Sequence, residues 1–123
     1  MGMAGTHSSI TYHLVPRDAW QATDPDQDYA PPSLAAEGFI HTTEAPLEVL
    51  ATARRHFTQA WDTLVVLVLD RERIKAPVRF DDAKRLYPHI YGPLNRDAIL
   101  EIVPLPDFAL RVPEGQNPPS GAR

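Results

Sequence analysis

Three histidines stand in short motifs whose other residues commonly bind or orient small ligands. The motifs are Tyr12-His13-Leu14, Gly38-Phe-Ile-His41-Thr42-Thr43 and Tyr87-Pro-His89-Ile-Tyr91-Gly92-Pro-Leu94. Because imidazole changes charge near neutral pH, a histidine can accept, donate or hold a proton in a site. We therefore predict that His13, His41 and His89 line a single cleft.

In a functional interpretation, these motifs recognise a ligand that carries a phosphate and a planar ring. Thr42, Thr43 and the N–H groups at the start of the following helix would receive the phosphate. Tyr87 or Tyr91 would stack on the ring. Gly92 would let the backbone approach the ligand closely.

Each motif also has a structural interpretation, which the sequence alone leaves open. A histidine in the middle of a strand, such as His13, is commonly a hydrogen-bonded core residue. Thr43 could simply cap a helix. The prolines of residues 87–94 could stiffen a loop for stability.

Several familiar chemistries have no signature in this sequence. No two histidines have the spacing of a metal-binding motif and no carboxylate accompanies them in their motifs, so we expect no metal. The chain has no glycine-rich phosphate loop, no G-x-S-x-G elbow and no cysteine. The acidic residues of 24–28 and the pair Asp81-Asp82 are predicted to be solvated loop charges.

Length and charge narrow the class of protein. A chain of 123 residues has room for one domain, and a net charge of −4 argues against a nucleic-acid partner. The missing cysteines and the absence of a long apolar run favour a cytoplasmic protein with no membrane partner. We expect residues 1–8 to be a flexible leader, 9–108 a single domain and 109–123 a disordered tail.

Hydrophobic patterning predicts an α+β domain with a mostly antiparallel or mixed sheet and two or three helices. The continuous apolar run 63–70 predicts a central strand that is buried on both faces. The predicted strands are 10–15, 39–43, 63–70, 78–80 and 99–103, and the predicted helices are 16–21, 34–37 and 43–57. Ser33 and Thr43 are the expected helix caps, and Gly38 is expected to end the second helix.

Taken together, the motifs closely resemble those of DUF952, a family of small bacterial proteins. The resemblance covers about residues 10–105. Its residues are Tyr12-His13, Trp20, Ser33-Leu34, Glu37-Gly-Phe-Ile-His41 and Pro88-His-Ile-Tyr-Gly-Pro-Leu94. It implies an ADP-ribosyltransferase-like fold, in which two small split sheets flank an NAD cleft.

The same resemblance implies roles for individual residues. His13 matches the position of a histidine that holds a ribose in the wider fold. Residues 38–43 match the strand that borders the nicotinamide site, with His41 in place of the usual serine. Glu101 is a weak match to the catalytic glutamate of that fold.

We therefore expect a cleft that binds NAD or a related nucleotide, with transferase or phosphotransferase chemistry as an open question. The expected catalytic residues are His41, His89 and Glu101. The expected ligand-binding residues are His13, Tyr12, Ser33, Thr42, Thr43, Tyr87, Tyr91 and Gly92. Two alternatives remain open, a non-catalytic nucleotide or small-molecule binding module and a metal-dependent hydrolase with three histidine ligands. The sequence does not indicate an oligomeric state.

Overall fold

A computed structural model describes residues 9–112 of the chain. Within these residues it contains six strands and four α-helices, joined by short turns and three 3₁₀ segments. The strands are β1 (Ile10–Pro16), β2 (Ile40–His41), β3 (Leu64–Asp70), β4 (Val78–Phe80), β5 (Pro88–Ile90) and β6 (Ile99–Pro104). The helices are α1 (Arg17–Gln21), α2 (Pro32–Glu37), α3 (Pro46–His56) and α4 (Leu105–Arg111).

The strands form two antiparallel three-stranded sheets. The first has the order β1-β3-β6 and the second the order β2-β5-β4. The sheets meet where Tyr12 and Thr43 exchange two backbone hydrogen bonds of 2.8 Å each. This bridge places the start of the segment before α3 directly against β1.

Strand β3 separates two hydrophobic cores, which explains its uninterrupted run of apolar residues. Leu67 and Leu69 face a core shared with Ile40 and Ile90 of the second sheet. Neighbouring strand residues point in opposite directions, so Leu64 and Val66 instead face the core built with α3 and α4. Burying one such aliphatic side chain stabilises the fold by roughly 1.5–3 kcal/mol. The predicted central, doubly buried strand is confirmed.

Two elements were not expected from the sequence. Residues 88–90 form the central strand of the second sheet rather than a rigid loop. Pro88 is tolerated because it is the first residue of the strand. Residues 105–111 form α4, with Pro106 in its first turn and with Leu105 and Phe108 buried.

Helix α4 corrects the predicted domain boundary at Phe108. Because the helix continues to Arg111 and Val112 is buried at 5 % exposure, residues 109–112 belong to the folded unit. The predictions for 1–8 and for the remainder of the tail lie outside the described residues. Within residues 9–112, no helix is both long and apolar enough to cross a bilayer.

The predicted helix caps were wrong in two of three cases. Helix α3 begins at Pro46 rather than Thr43, because the Thr43 backbone is engaged in the bridge to Tyr12. Ser33 lies inside α2, which begins one residue earlier with proline. Gly38 does end α2, with a left-handed φ of 91° and an N–H that donates to the Leu34 carbonyl. This turn carries the chain directly from α2 into β2.

The turn at Gly38 yields a test of the fold. A Cβ at this position would meet no atom within 4 Å, so Gly38→Ala tests the backbone conformation alone. A left-handed residue with a Cβ costs roughly 1–2 kcal/mol, and we expect that loss in the free energy of unfolding, measured by urea denaturation. Gly38→Asn should lose less, because asparagine tolerates this conformation. Equal stability of the alanine variant and the parent would contradict the described turn.

Candidate functional site

A cleft of about 720 Å³ opens between β1, β2, the start of β5 and α3. His13, His41 and His89 all line it, as predicted. Eight of the eleven predicted site residues contribute to its wall, namely Tyr12, His13, Ser33, His41, Thr42, Thr43, Tyr87 and His89. Glu101, Tyr91 and Gly92 do not line it.

His41 and His89 form a direct cross-strand pair. They are opposite each other in the antiparallel ladder of β2 and β5, so both side chains project from the same face of the sheet. Their ring centroids are 5.3 Å apart and the ring planes are nearly perpendicular, at 78°. Phe39 stacks on His89 at 4.1 Å and meets His41 edge-on at 4.8 Å. The phenylalanine therefore restricts the orientation of both imidazoles.

A carboxylate holds each member of this pair by one ring nitrogen. Asp81 Oδ2 lies 2.9 Å from His89 Nδ1, and Glu37 Oε1 lies 2.9 Å from His41 Nε2. A carboxylate accepts, so each of these nitrogens carries the proton. His89 Nε2 and His41 Nδ1 are left for a ligand. The side chain of His89 is 17 % exposed and that of His41 is 54 % exposed.

Asp81 is fixed by a second hydrogen bond. Its Oδ2 also accepts from the Tyr91 hydroxyl at 2.6 Å. The hydrogen bonds from Tyr91 and His89 lower the pKa of Asp81. The hydrogen bond between Tyr91 and Asp81 also raises the pKa of Tyr91. Tyr91 was expected to stack on a ligand, but the structure has it holding the carboxylate that orients His89. The sequence places no carboxylate within the histidine motifs, and the fold supplies one to each member of the pair from outside them.

His13, which was predicted to contact a ribose, lines the cleft but occupies a different environment from the histidine pair. Its Nδ1 lies 2.8 Å from the His41 carbonyl oxygen, and its Nε2 lies 2.8 Å from the Tyr29 hydroxyl. Nδ1–H donates to the carbonyl and Nε2 accepts from the phenol, so both nitrogens are used within the fold. The residue is only 7 % exposed, and burial lowers the pKa of His13 to about 4. His13 is a neutral link between the two sheets.

The threonines after His41 also serve the fold rather than a phosphate. Thr42 is buried, and both its hydroxyl and its N–H donate to the Pro88 carbonyl, at 2.6 and 3.1 Å. The N–H of Thr43 donates to Tyr12 across the sheet bridge. Helix α3 begins three residues beyond Thr43. The predicted phosphate-binding helix start is therefore absent at Thr42 and Thr43.

Glu101 is separated from the cleft, which corrects its predicted catalytic role. It lies exposed on β6, opposite Val68 of β3. Its two carboxylate oxygens accept from Arg111 of α4 at 3.1 and 2.8 Å, which lowers the pKa of Glu101. The pairing with the last described helix is structural.

Gly92 and Tyr87 likewise have partners in the fold. A Cβ on Gly92 would lie 2.9 Å from the Cβ of Ala76, so glycine is required there by close packing and not by a ligand. The Tyr87 hydroxyl donates to Glu48 of α3 at 2.8 Å, which raises the pKa of Tyr87. Tyr87 still lines the cleft and ties α3 to the second sheet.

Sequence reasoning missed four residues of the site. Glu37 and Asp81 orient the histidine pair, and Arg55 and His56 of α3 line the opposite wall. Glu37 stands four residues before His41 across the Gly38 turn, a spacing that could have indicated the contact. Asp81 follows β4 directly, and recognising residues 88–90 as the antiparallel neighbour of β4 would have placed it beside His89.

The donor groups of the described residues do not assemble a metal site. Within residues 9–112 there is no group of three or more histidine or carboxylate side chains placed to hold an ion. His13 has both nitrogens engaged, so the three histidines cannot act together as ligands.

The observed architecture is that of an α+β protein with two antiparallel three-stranded sheets and a histidine-lined cleft. The family described as protein of unknown function (DUF952) matches residues 14–102, and the chain belongs to it. No curated protein matches the chain.

Solved structures of CC0527 from Caulobacter crescentus share this fold. Its crystal structure is 24% identical to this chain, with a TM-score of 0.62, and the alignment covers 76% of this chain and 83% of that one. A solution structure of CC0527 is 22% identical, with a TM-score of 0.61 and coverage of 78% and 84%. At these identities the likeness shows a common fold.

The environment of His13 predicts how stability depends on pH. The unfolded chain binds a proton at this histidine near pH 6.5, whereas the folded protein does so only near pH 4. The unfolded state therefore holds more protons in between, and stability falls as the pH drops through this window, by about 3 kcal/mol in total. Urea denaturation at a series of pH values measures the loss.

The comparison variant for this test is His13→Gln, whose amide does not titrate. It should remove most of the pH dependence between about pH 6.5 and pH 4, even if it lowers stability at neutral pH. His56→Gln, on the exposed end of α3, should leave the dependence as in the parent. An unchanged slope in the His13 variant would contradict a buried, neutral imidazole.

Proposed function

We propose that the cleft binds a nucleotide of the NAD class and that His41 and His89 transfer protons at its reacting centre. The observation that carries the proposal is the pair of neighbouring imidazoles in the cleft, each held by a carboxylate at one ring nitrogen only. An imidazole oriented by a carboxylate is a recurrent general acid or base.

The dimensions and lining of the cleft support a nucleotide-sized ligand. A volume of about 720 Å³ falls within the range of small-molecule sites. Tyr12 and Tyr87 offer aromatic surface, while Arg55 supplies positive charge on the α3 wall. A nucleotide presents both chemistries, a planar ring and an anionic phosphate.

The proposal includes an ADP-ribosyltransferase-like arrangement of the two sheets, as the sequence motifs implied, and a cytoplasmic location. It departs from that wider fold at the reacting centre. Glu101 is remote and paired with Arg111, so it is not available as the catalytic acid. The chemistry rests on the two histidines, and a protein that binds nucleotide without turnover is the competing outcome.

Ligand-induced stabilisation tests the proposal. A ligand that binds only the folded state at one hundred times its Kd adds about 2.7 kcal/mol of stability. We expect NAD, ADP-ribose or AMP to raise the Tm of the full chain by several degrees in a thermal-shift titration. Failure of every nucleotide to do so would refute the proposed ligand class.

A matched pair of variants on α2 locates the binding. Ser33→Trp puts a large ring into the cleft and should abolish the nucleotide-dependent shift, because Ser33 lines the wall. Ala35→Trp makes the same change at an exposed position of the same helix and should preserve the shift. Retention of the full shift by the Ser33 variant would place the ligand elsewhere.

A further inference from the structure

The second sheet has one face that carries the buried Ile40 and Ile90, and side chains on its other face indicate which reaction the proposed site could catalyse. Antiparallel pairing places Arg79 of β4 opposite His89 of β5, which in turn is opposite His41 of β2. Opposite residues share a face, so these three form a basic row across the sheet, in which His41 and His89 line the cleft and Arg79 extends the row beyond its lining. Strands lie about 4.8 Å apart, and the row therefore spans roughly 10 Å, the scale of a phosphate and its flanking sugar.

Arg79 lies at the end of the row, and no carboxylate among residues 9–112 is seen in an ion pair with it. It is exposed, and its guanidinium lies 5.2 Å from the centroid of the Tyr91 ring. Tyr91 also donates to Asp81, so one residue contacts both Arg79 and the carboxylate that orients His89. A guanidinium placed in this way suits a phosphate oxygen.

Other reactions at the histidine pair lack a necessary group. Glycosyl transfer through an oxocarbenium-like state calls for a carboxylate at the sugar. Glu37 and Asp81 are engaged by the imidazoles, and Asp82, which also lines the cleft, accepts from two backbone N–H groups. Acyl transfer calls for N–H donors toward an oxyanion, but those of Thr42 and Thr43 are bonded within the fold. Two imidazoles and an adjacent guanidinium remain, which is a set suited to a phosphodiester.

We propose that the row formed by His41, His89 and Arg79 hydrolyses a cyclic phosphodiester of a ribonucleotide. This inference rests on the proposed function, because it assigns the substrate class of the same cleft. A cyclic diester suits the row because its leaving hydroxyl stays on the product and water serves as the nucleophile. Arg79 holds the non-bridging oxygens, whose negative charge is permanent.

The two histidines have opposite tasks in the step. His89 Nε2 takes a proton from water while the water oxygen forms a bond to phosphorus. The bond from phosphorus to one ribose oxygen breaks, and His41, protonated on both nitrogens, gives its Nδ1 proton to that oxygen. Water and the cyclic diester thus yield a ribonucleotide monophosphate. Proton exchange with solvent restores both imidazoles.

Exposure decides which histidine is the base. His89 is largely covered, and Phe39 and Asp81 fix the orientation of its ring, so we assign it the role of the base. His41 is more exposed and is open to proton exchange with solvent, so we assign it the role of the acid. The pair therefore predicts a bell-shaped dependence of kcat/KM on pH.

The experiment incubates the full chain with 2′,3′-cyclic AMP in the presence of EDTA and follows the monophosphate product by chromatography. His41→Ala and His89→Ala should each lower kcat by about 100-fold or more, since general acid–base groups contribute about that factor. Arg79→Ala should lower kcat/KM by about ten-fold or more. Arg54→Ala, whose guanidinium lies over Trp61, should leave the rate unchanged.

The pH profile separates a chemical role from a structural one. His89→Ala should lose the acidic limb of the profile and His41→Ala the basic limb, while thermal melting shows that each variant remains folded. Stabilisation by nucleotides without any hydrolysis of 2′,3′-cyclic AMP would overturn this inference and leave the proposed function standing. Hydrolysis that survives both histidine substitutions would also overturn it. Absence of both hydrolysis and nucleotide stabilisation would overturn the two proposals together.

Discussion

The two sheets depend on a hydrogen-bonded seam between β1 and the segment that contains His41. His13 donates to the His41 carbonyl, and Thr11 contributes a hydroxyl bonded to Thr42 at 2.9 Å. The backbone exchange between Tyr12 and Thr43 continues the seam at its other end. Thr11, His13, Thr42 and Thr43 are buried, and an unsatisfied buried donor or acceptor would cost about 1–3 kcal/mol each. The seam therefore fixes where β2 lies and, with it, where His41 points.

The seam also determines the geometry of the histidine pair. Once β2 is placed, its ladder with β5 sets His89 opposite His41, and the β4 ladder sets Arg79 beside His89. The opposite face of the same strands carries Ile40 and Ile90, which are fully buried. A one-residue slip would expose these isoleucines and bury the imidazoles, so the core selects the register that presents the site. Packing and function are thus coupled through strand alternation.

The parts of the fold that follow from local pattern were predictable. The apolar run of β3 and the glycine after α2 each dictate their conformation from their own residues. In the second sheet β2 and β4 were predicted, but the central strand β5 was not, because it is three residues long, begins with Pro88 and is soon followed by Pro93. Such short strands are defined by partners distant in the chain rather than by alternation. Helix α4 was missed because Pro104 and Pro106 were interpreted only as the end of the last strand, although proline is favoured in a first turn.

The candidate site, like the fold, was predictable only where the local sequence determines the structure. Convergence of the histidines could be predicted from their motifs, but their separate roles could not. His13 differs from His41 and His89 because Tyr29, sixteen residues away, supplies its second partner. The role of Asp81 depends on the β4–β5 pairing, which the sequence did not reveal. Residue type indicated where the histidines converge, and tertiary contacts decide which of their ring nitrogens are engaged within the fold.

The central claim is that His41 and His89 face the ligand while His13 is committed to the fold. A long-range proton–nitrogen NMR spectrum of the imidazole rings, recorded with and without AMP, tests it most directly. The account predicts that AMP shifts the ring resonances of His41 and His89. Those of His13 should remain in the Nδ1–H form between about pH 5.5 and pH 8. A His13 ring that titrates within this range or responds to AMP, while the other two do not, would contradict the account.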